Sequence, residues 1–329
     1  MLIDFNGDGR SDVFWNRAKA PNPEFQDTNV WFGQNSGRFD DTYAGSRPAV
    51  GQGWTIEAVG DFNGDSRADV LWRAAGSGEL VVWQGRYDLF YDSFSIHGIA
   101  GHPAVDLSWS VQATGDFNGD GQMDLVWRHT SGEITQWLGA ANSQGGGSAN
   151  LSDNFQIGGA KVDNSWHIVT SGDFNGDGFD DLIWRHTSGE ITQWLGSSTG
   201  GFSDNYANAG AKVDNSWKIA ASGDFNGDGF DDLIWRHTGG EITEWLGGAG
   251  GKFVDNYAKA KANVDNSWTI IASGDFDGDF RSDLLWRHSS GEVTEWLGTF
   301  NGLFFDNYVF AHQNISTAWS VPSDGIWIG

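Results

Sequence analysis

Short runs of β-branched and aromatic residues alternate with turns rich in glycine, asparagine and aspartate along the whole chain. The stretch from residue 217 to 264 is typical: WKIAASGDF precedes an acidic turn, DDLIWRHT follows it, and EITEWLG follows a GG turn. Such runs, bounded by turn residues, predict strands, and no segment keeps the 3.6-residue period of an amphipathic helix. The pattern predicts an all-β fold with four strands, A to D, in each unit.

The unit is repeated six times, and this repetition decides the predicted architecture. The acidic turn recurs at steps of 51 to 57 residues and starts at Asp4, Asp61, Asp116, Asp173, Asp224 and Asp275. A period of this length suits one four-stranded propeller blade. The sequence predicts one domain over residues 1–329, a six-bladed β-propeller of four-stranded antiparallel blades, with repeats starting near residues 4, 54, 109, 166, 217 and 268.

The tryptophan positions predict how the ring closes. Units two to six each carry one Trp at the start of strand A, one in strand B and one in strand C, whereas the first unit has only Trp15 and Trp31. A spare Trp319 lies 51 residues after Trp268. We therefore expect a C-terminal strand near residue 319 to complete blade one, because that pairing leaves no open sheet edge in the ring.

Composition limits the partners. The chain has 19 Lys and Arg against 44 Asp and Glu, a formal net charge of -25, so the phosphate contacts of a nucleic-acid binder would be hard to assemble. No apolar run approaches 18 residues, so membrane insertion is not expected. The absence of cysteine excludes disulfides and cysteine-type zinc sites.

The acidic turn carries oxygen ligands at alternating positions. Counting from its first Asp, side-chain oxygens fall at positions 1, 3, 5 and 9, and position 7 offers a backbone carbonyl. Hard oxygen ligands at this spacing favour Ca²⁺ over Mg²⁺, which demands stricter octahedral geometry. We predict about six Ca²⁺ ions, one per blade. The predicted ligands are Asp4, Asn6, Asp8, Arg10, Asp12, Asp61, Asn63, Asp65, Arg67, Asp69, Asp116, Asn118, Asp120, Gln122, Asp124, Asp173, Asn175, Asp177, Phe179, Asp181, Asp224, Asn226, Asp228, Phe230, Asp232, Asp275, Asp277, Asp279, Arg281 and Asp283.

Two other interpretations of the turn were weighed against calcium. An EF-hand needs a bidentate Glu at position 12, where this chain has Trp, as at Trp15 and Trp72, and it needs flanking helices. A metal-free turn is the second alternative, since Asp, Asn and Gly form turns without ions. Six copies that share four ligand positions favour the metal.

The repeated segments resemble a known family. DFNGDGFDDLIWR followed by WLGSSTGGF resembles the FG-GAP or VCBS-type repeats of integrin α-subunit propellers and many bacterial surface proteins, over almost the whole chain. The resemblance implies that the acidic loop joins strands A and B and binds Ca²⁺. It also implies an extracellular or cell-surface location, as a module of a larger surface protein. Ser66 and Phe280 depart from the family pattern because they replace the second glycine of their loops.

A second candidate site lies on the opposite rim. The B–C turns carry RHTSGE and the D–A connections carry VDNSW, and propeller topology brings each turn beside the next blade's connection. An aromatic plate beside Arg, His, Asp and Asn suits a sugar, whose C–H face stacks while its hydroxyls form hydrogen bonds. The candidate ligand-binding residues are Arg128, His129, Glu133, Asp163, Asn164, Trp166, Arg185, His186, Glu190, Asp214, Asn215, Trp217, Arg236, His237, Glu241, Asp265, Asn266 and Trp268.

The rim also has a structural interpretation. Arg128 and Glu133 could form a cross-strand ion pair, and Trp166 could pack between blades. If the rim binds, its near-identical copies favour a non-catalytic, calcium-stabilised recognition module, a multivalent lectin or adhesin for a glycan or cell-surface ligand, as in the propeller lectins that the repeats resemble. The alternatives are a protein-interaction scaffold and an enzyme or accessory domain acting on polysaccharide, because propellers host many functions.

Overall fold

The computed structural model describes residues 3–17, 25–41, 50–85, 94–98, 104–140 and 151–322. Within these ranges the chain forms six antiparallel sheets, each built from consecutive strands, which confirms the six-bladed propeller. Among the described residues, no helix is long and apolar enough to cross a membrane.

In the described residues of the first two blades, every regular element is a strand. Blade one consists of β1 (Val13–Arg17), β2 (Phe25–Gln34), β3 (Arg38–Asp41) and β4 (Val50–Gly51). Blade two consists of β5 (Trp54–Gly60), β6 (Asp69–Ala74), β7 (Leu80–Gly85) and β8 (Phe94–Gly98). In blade one, β3 and β4 both pair with β2, whereas blade two is an antiparallel meander.

Blades three to six share one plan: three long strands, then an outer strand in two pieces separated by a single helical turn. Blade three consists of β9 (Trp109–Gly115), β10 (Asp124–His129), β11 (Glu133–Leu138), β12 (Ser152–Asp153), α1 (Phe155–Gly158) and β13 (Ala160–Lys161). Blade four consists of β14 (Trp166–Gly172), β15 (Asp181–His186), β16 (Glu190–Leu195), β17 (Ser203–Asp204), α2 (Tyr206–Ala209) and β18 (Ala211–Lys212). Blade five consists of β19 (Trp217–Gly223), β20 (Asp232–His237), β21 (Glu241–Leu246), β22 (Val254–Asp255), α3 (Tyr257–Ala260) and β23 (Ala262–Asn263). Blade six consists of β24 (Trp268–Gly274), β25 (Asp283–His288), β26 (Glu292–Thr299), β27 (Leu303–Asp306), α4 (Tyr308–Ala311) and β28 (Gln313–Asn314).

An Asn explains why the outer strand of these blades is broken. In blade three, the Asn154 side chain turns inward to the Gln136 amide oxygen and also donates to the Thr199 carbonyl of blade four. Asp153 accepts the Phe155 N–H and so stabilises the start of the helical turn. The same Asn position reaches the following blade in each case, through Asn205, Asn256 and Asn307. The break is therefore a joint between blades.

The core lies between the blades. The second strand of every blade carries a Trp that is at most 1% exposed and packs on the Trp of the third strand, with ring centroids 4.8–5.1 Å apart. The cluster around Trp184 of blade four includes Phe117 and Ile134 of blade three. Consecutive residues of the second strand are buried, as over Asp181–His186 with its first five residues buried, so each sheet has two buried faces, one for each neighbouring blade.

The C-terminal segment closes the ring, as the tryptophan count predicts. Asn16 of β1 and Ser320 exchange two backbone hydrogen bonds of 2.8 Å. Trp319 is buried in one cluster with Trp15 and Trp31. Residues 323–329 of the predicted closing segment lie outside the described residues, so the pairing described here is the bridge at Ser320.

Candidate functional sites

The acidic loops wrap around the carboxylate of their first Asp. In blade four, Asp173 Oδ1 accepts the N–H groups of Gly176 and Asp177 at 2.7 and 3.1 Å, and Oδ2 accepts the N–H of Gly178 at 2.8 Å. Gly176 and Gly178 have φ values of +72° and +84°, a left-handed conformation that glycine adopts without strain. In all six loops the first Asp accepts the N–H groups of positions 5 and 6. The loop backbone therefore positions the ligand carboxylate.

The Asp at position 9 is buried in every loop. Asp181 Oδ1 accepts the Gly196 N–H at 3.0 Å, and its Oδ2 accepts the Gln193 side-chain amide at 2.8 Å. Burial raises the pKa of Asp181 to about 8, with a smaller upward contribution from Asp177 and Asp173. Burial likewise raises the pKa of Asp124 to about 8. A cation in the loop would remove this penalty, because it stabilises the ionised carboxylates.

Two observations test whether these residues fit a hard cation. The position 3 oxygens Asn175 Oδ1 and Asn226 Oδ1 are buried and have no hydrogen-bond donor among the described residues. In the sixth loop, Asp275, Asp277 and Asp283 each place an oxygen within 4.8 Å of the other two. A buried carbonyl oxygen without a donor is costly, and clustered carboxylates repel, so both features fit a cation.

The six loops are not equivalent. Arg10 and Arg281, at position 7, reach back to the position 5 carboxylates Asp8 and Asp279. These guanidinium groups would compete with an ion for a predicted ligand in the first and sixth loops. The position 7 residues elsewhere are Arg67, Gln122, Phe179 and Phe230. In the second and sixth loops, Ser66 and Phe280 adopt φ values of +64° and +67° where the other loops have glycine.

The structure brings the predicted rim residues together, and Arg128 acts there as an inter-blade clamp. Its Nη1 donates to the Trp166 carbonyl and its Nη2 donates to the Asp163 carbonyl at 3.0 Å. The guanidinium lies over the ring of Trp184 in the next blade, 5.6 Å from the centroid. The equivalent Arg73, Arg185, Arg236 and Arg287 repeat this clamp, the last of them onto Trp319 and the Trp15 ring. The predicted ion pair between Arg128 and Glu133 does not form.

The clamp is missing at one junction. In blade one, Asn16 occupies the arginine position, and a cavity of about 490 Å³ opens between blades one and two, lined in part by Asn16, Gln26 and Trp54. At this junction the Gln26 side-chain amide donates instead to the Trp54 carbonyl at 2.6 Å, the acceptor that corresponds to Trp166 in the arginine clamps.

The remaining rim residues are partly committed to local contacts. The Asp163 carboxylate accepts the Ser165 N–H at 2.8 Å and its hydroxyl, which lowers the pKa of Asp163. Asn164 donates to the Thr130 carbonyl at 3.0 Å. Blade five repeats these contacts through Asp214 and Asn215, and blade six repeats their backbone part through Asp265 and Asn266.

The rim tryptophans contact histidines within their own blades, with the two ring planes tilted by 52–58°. Trp166 lies against His186 with ring centroids 5.1 Å apart, and the same pair recurs as Trp109 with His129, Trp217 with His237, and Trp268 with His288. These tryptophans are half-buried, so one part of each ring system remains at the surface. Near them, Glu133 and Glu190 lie 3.9 Å from the histidine of their own turn, while Glu241 pairs with Lys261 at 2.7 Å.

Sequence reasoning missed residues at two cavities. One, of about 300 Å³, lies at the inner ends of the blades beside the loops, where Asp180 and Asp231 each accept a backbone N–H from the preceding loop. The other, of about 220 Å³, lies between blades four and five and includes His167 and Lys218. The sequence signal for the first cavity is the pair of consecutive aspartates before the second strand. The basic residues of the second cavity give no repeated signal, because the residue type at their strand position differs from blade to blade.

Comparisons with known proteins place this geometry in context. A family model described as FG-GAP-like repeat matches residues 4–72, 61–127, 116–184 and 173–235. No curated protein sequence matches the chain. Among solved structures, the chain is similar to the Photorhabdus luminescens Tc holotoxin pore, with a TM-score of 0.55 and 14% identity over 95% of this chain and 14% of the toxin chain. The chain thus spans a small part of that toxin, and at this identity the likeness concerns the fold alone.

Two weaker structural likenesses complete the comparison. The SapL1 lectin in complex with α-methyl fucoside matches with a TM-score of 0.47 and 11% identity over 88% of this chain and 93% of the lectin. A provisionally assigned 6-phosphogluconolactonase from Bacteroides uniformis matches with a TM-score of 0.47 and 12% identity over 94% of this chain and 97% of the other. At these TM-scores, neither likeness carries an argument about function.

Proposed function

The chain belongs to the FG-GAP-like repeat family, and on that basis we propose that it is a non-catalytic recognition module, stabilised by calcium, that binds glycans at several similar positions on its rim. The observation that carries this proposal is the fourfold recurrence of a half-buried Trp in contact with a His, with an exposed Asp next to the pair. A surface that repeats one binding geometry suits a ligand that itself repeats.

Calcium is the structural part of the proposal. Two features of the loops favour a bound cation: the buried Asp at position 9, and the side-chain oxygens of Asn175 and Asn226, which have no hydrogen-bond donor among the described residues. A ligand set that consists only of oxygen atoms favours Ca²⁺. The ion would be held by the side chains at positions 1, 3, 5 and 9 and would neutralise carboxylates that otherwise repel. Its role is to fix the loop between the first and second strands, away from the rim.

Multivalency explains how such sites could work. A single sugar stacked on one Trp and His pair binds weakly, on the order of millimolar. Several pairs on one rigid ring raise the effective concentration of the next contact once the first has formed. We therefore expect little affinity for a free neutral monosaccharide and strong retention on a densely coated glycan surface.

The test is a glycan array probed with the protein in Ca²⁺ and in EDTA, together with a rim variant. His186→Ala with His237→Ala removes two of the paired rings and leaves the arginine clamps in place, so binding should weaken while the melting temperature stays close to that of the parent. His312→Ala serves as the matched control, since His312 pairs with Glu292 at the outer edge of blade six. A parent protein that binds no glycan in Ca²⁺ would overturn the glycan proposal and favour a protein ligand.

A further inference from the structure

The cavity between blades four and five is basic although the protein is strongly acidic. Its volume is about 220 Å³, and its lining includes His167, Arg185, His186, Asn215 and Lys218. None of the described residues that line it is a carboxylate, whereas the whole chain has a net charge of -25. A cluster of cations that the general acidity of the chain does not predict suggests a local purpose.

The strand register shows that two of these basic residues lie opposite arginines, an arrangement that lowers the stability of the sheet when both groups are charged. In five blades, the second residue of the inner strand lies directly opposite an arginine of the second strand. Three blades place a hydroxyl residue there, in the pairs Thr55 with Arg73, Ser110 with Arg128 and Thr269 with Arg287. Blades four and five instead place His167 opposite Arg185 and Lys218 opposite Arg236. Basic groups directly opposite each other in a sheet are destabilising when both are charged.

The two exceptional residues meet at one place. His167 and Lys218 belong to adjacent blades and line the same cavity, so the substitutions concentrate basic groups at one junction. Lys218 is exposed and forms no ion pair within the described ranges. Asp214, the carboxylate next to Asn215, is already engaged by the Ser216 N–H at 2.8 Å and by the Ser216 hydroxyl.

The cavity also offers the other contacts that a sugar needs. His186 uses Nδ1 for the Ser188 hydroxyl and turns Nε2 away from that contact. The Arg185 guanidinium donates hydrogen bonds to the Trp217 and Asp214 carbonyls, so its main contribution to the cavity is positive electrostatic potential. Val169 and Ile219 supply apolar wall. Cations, a ring nitrogen and an apolar face together match a saccharide that carries an acidic group.

We propose that the cavity between blades four and five binds an anionic saccharide, whose carboxylate or sulfate is held by Lys218 and His167. This inference rests on the proposed glycan-binding function and specifies the ligand class of one site. An anion would offset the like charges of Lys218 and Arg236, which the register places opposite each other, and Lys218 would form a charge-assisted hydrogen bond with it. The other junctions, which lack this pair of basic residues, would not share the preference.

The experiment measures binding of glucuronate, N-acetylglucosamine 6-sulfate, glucose and inorganic sulfate to the calcium-loaded protein by titration calorimetry. The variant is His167→Ser with Lys218→Thr, which installs the residues that blades three and six carry at these positions. We expect the parent to bind at least one of the acidic sugars. We expect the affinity of the variant for that sugar to be lower by a factor of about ten or more. Lys252→Thr removes the same charge at an exposed turn and should leave binding unchanged.

The outcomes separate this inference from the general function. The double variant should melt at the same temperature as the parent or higher, because it removes the like-charge pair of Lys218 with Arg236, so a loss of binding would not reflect unfolding. Equal binding of the acidic sugar by parent and variant would overturn the proposal, as would sulfate binding as tightly as either acidic sugar. A parent that binds neutral glycans on the array but neither acidic sugar would keep the proposed function and overturn only this inference.

Discussion

At the scale of single residues, backbone conformation governs the acidic loops as much as ligand chemistry does. Position 6 is left-handed in every loop, and four loops meet that demand with glycine. Ser66 and Phe280 hold the same conformation with a side chain, which costs about 1–2 kcal/mol per residue. The Phe280 side chain is 88% exposed, so no packing offsets the strain.

Replacing Phe280 by glycine should therefore stabilise the protein. We expect a gain of about 0.5–1 kcal/mol, the relief of strain less the extra entropy that glycine loses on folding. The converse variant Gly178→Ala should destabilise by about 1 kcal/mol through φ alone, because a Cβ there would meet nothing within 4 Å. Urea denaturation of both variants measures the two effects, and a Phe280→Gly protein that is less stable than the parent would contradict the argument.

The buried Asp at position 9 predicts how metal-free protein responds to pH. Without an ion, burial raises the folded pKa of Asp124 and Asp181 to about 8, far above their ordinary value of 3.8. Between these limits the folded protein keeps protons that the unfolded chain has released, so its stability falls as pH rises from about 4 to about 8. Bound Ca²⁺ removes this dependence because it replaces the protons.

Calorimetric melting in EDTA at about pH 5 and about pH 8, and again in Ca²⁺, checks this expectation. The melting temperature in EDTA should be higher at the lower pH, and Ca²⁺ should raise it most at the higher pH. A melting temperature that EDTA leaves unchanged at both pH values would contradict the calcium sites themselves.

At the scale of elements, the repeat pattern predicted strand identity well and strand continuity poorly. Strands A, B and C of blades three to six begin and end close to the segments that alternation indicates. The sequence predicts one outer strand, D, in each unit, and Asn154 and its equivalents divide that strand because their side chains bond across to the next blade. That partner lies about 45 residues away in sequence, so no local pattern reveals it. The arginine of RHTSGE was also predicted to bind a ligand. Its partners are backbone carbonyls of another blade, and no local sequence pattern reveals them.

The arginine clamp should contribute strongly to stability. Arg185 is 7% exposed and binds the Trp217 and Asp214 carbonyls. Its replacement by Met keeps most of the apolar stem but removes the guanidinium donors of the part-buried Trp217 and Asp214 carbonyls, a loss of about 1.5–3 kcal/mol. Urea denaturation should show this loss, whereas Lys212→Met, at an exposed position, should change stability little. An Arg185→Met protein as stable as the parent would show that the clamp is dispensable.

At the scale of the whole molecule, the number of blades and the closure of the ring could be predicted by counting repeats and tryptophans. The hydrogen bonds between neighbouring blades could not. Six loops, fifteen tryptophans in five complete units and one displaced Trp319 sufficed for six blades and their closure. The structure adds that blades three to six each bond to the next blade through an arginine and an asparagine, including blade six to blade one through Arg287 and Asn307. It also shows that Gln26 bonds the Trp54 carbonyl at the seam where Asn16 replaces the arginine, and no repeat pattern marked that substitute.

Removing the closing segment should open the ring. Deleting residues 318–329 removes Trp319 and Ser320, exposes the inner edge of β1 and deprives Arg287 of one of its two carbonyl acceptors. We expect a lower melting temperature and concentration-dependent aggregation, measured by calorimetry and light scattering. The milder Trp319→Ala change should cost about 3–5 kcal/mol, while Phe300→Ala, at a residue 82% exposed, should cost almost nothing. A truncated protein that stays monomeric with the parent's melting temperature would contradict this closure.

The bridge between Asn16 and Ser320 also sets an order of events during synthesis. Its partners are 304 residues apart, so at translation speeds of about 5–20 residues per second the first blade waits roughly 15–60 s for its inner neighbour. During that interval β1 presents unpaired backbone groups, while later blades can stack as they emerge. The first blade is therefore more exposed to misassembly during synthesis than the blades that follow it, and a chaperone that shields it would benefit the yield more than one that acts on any other blade.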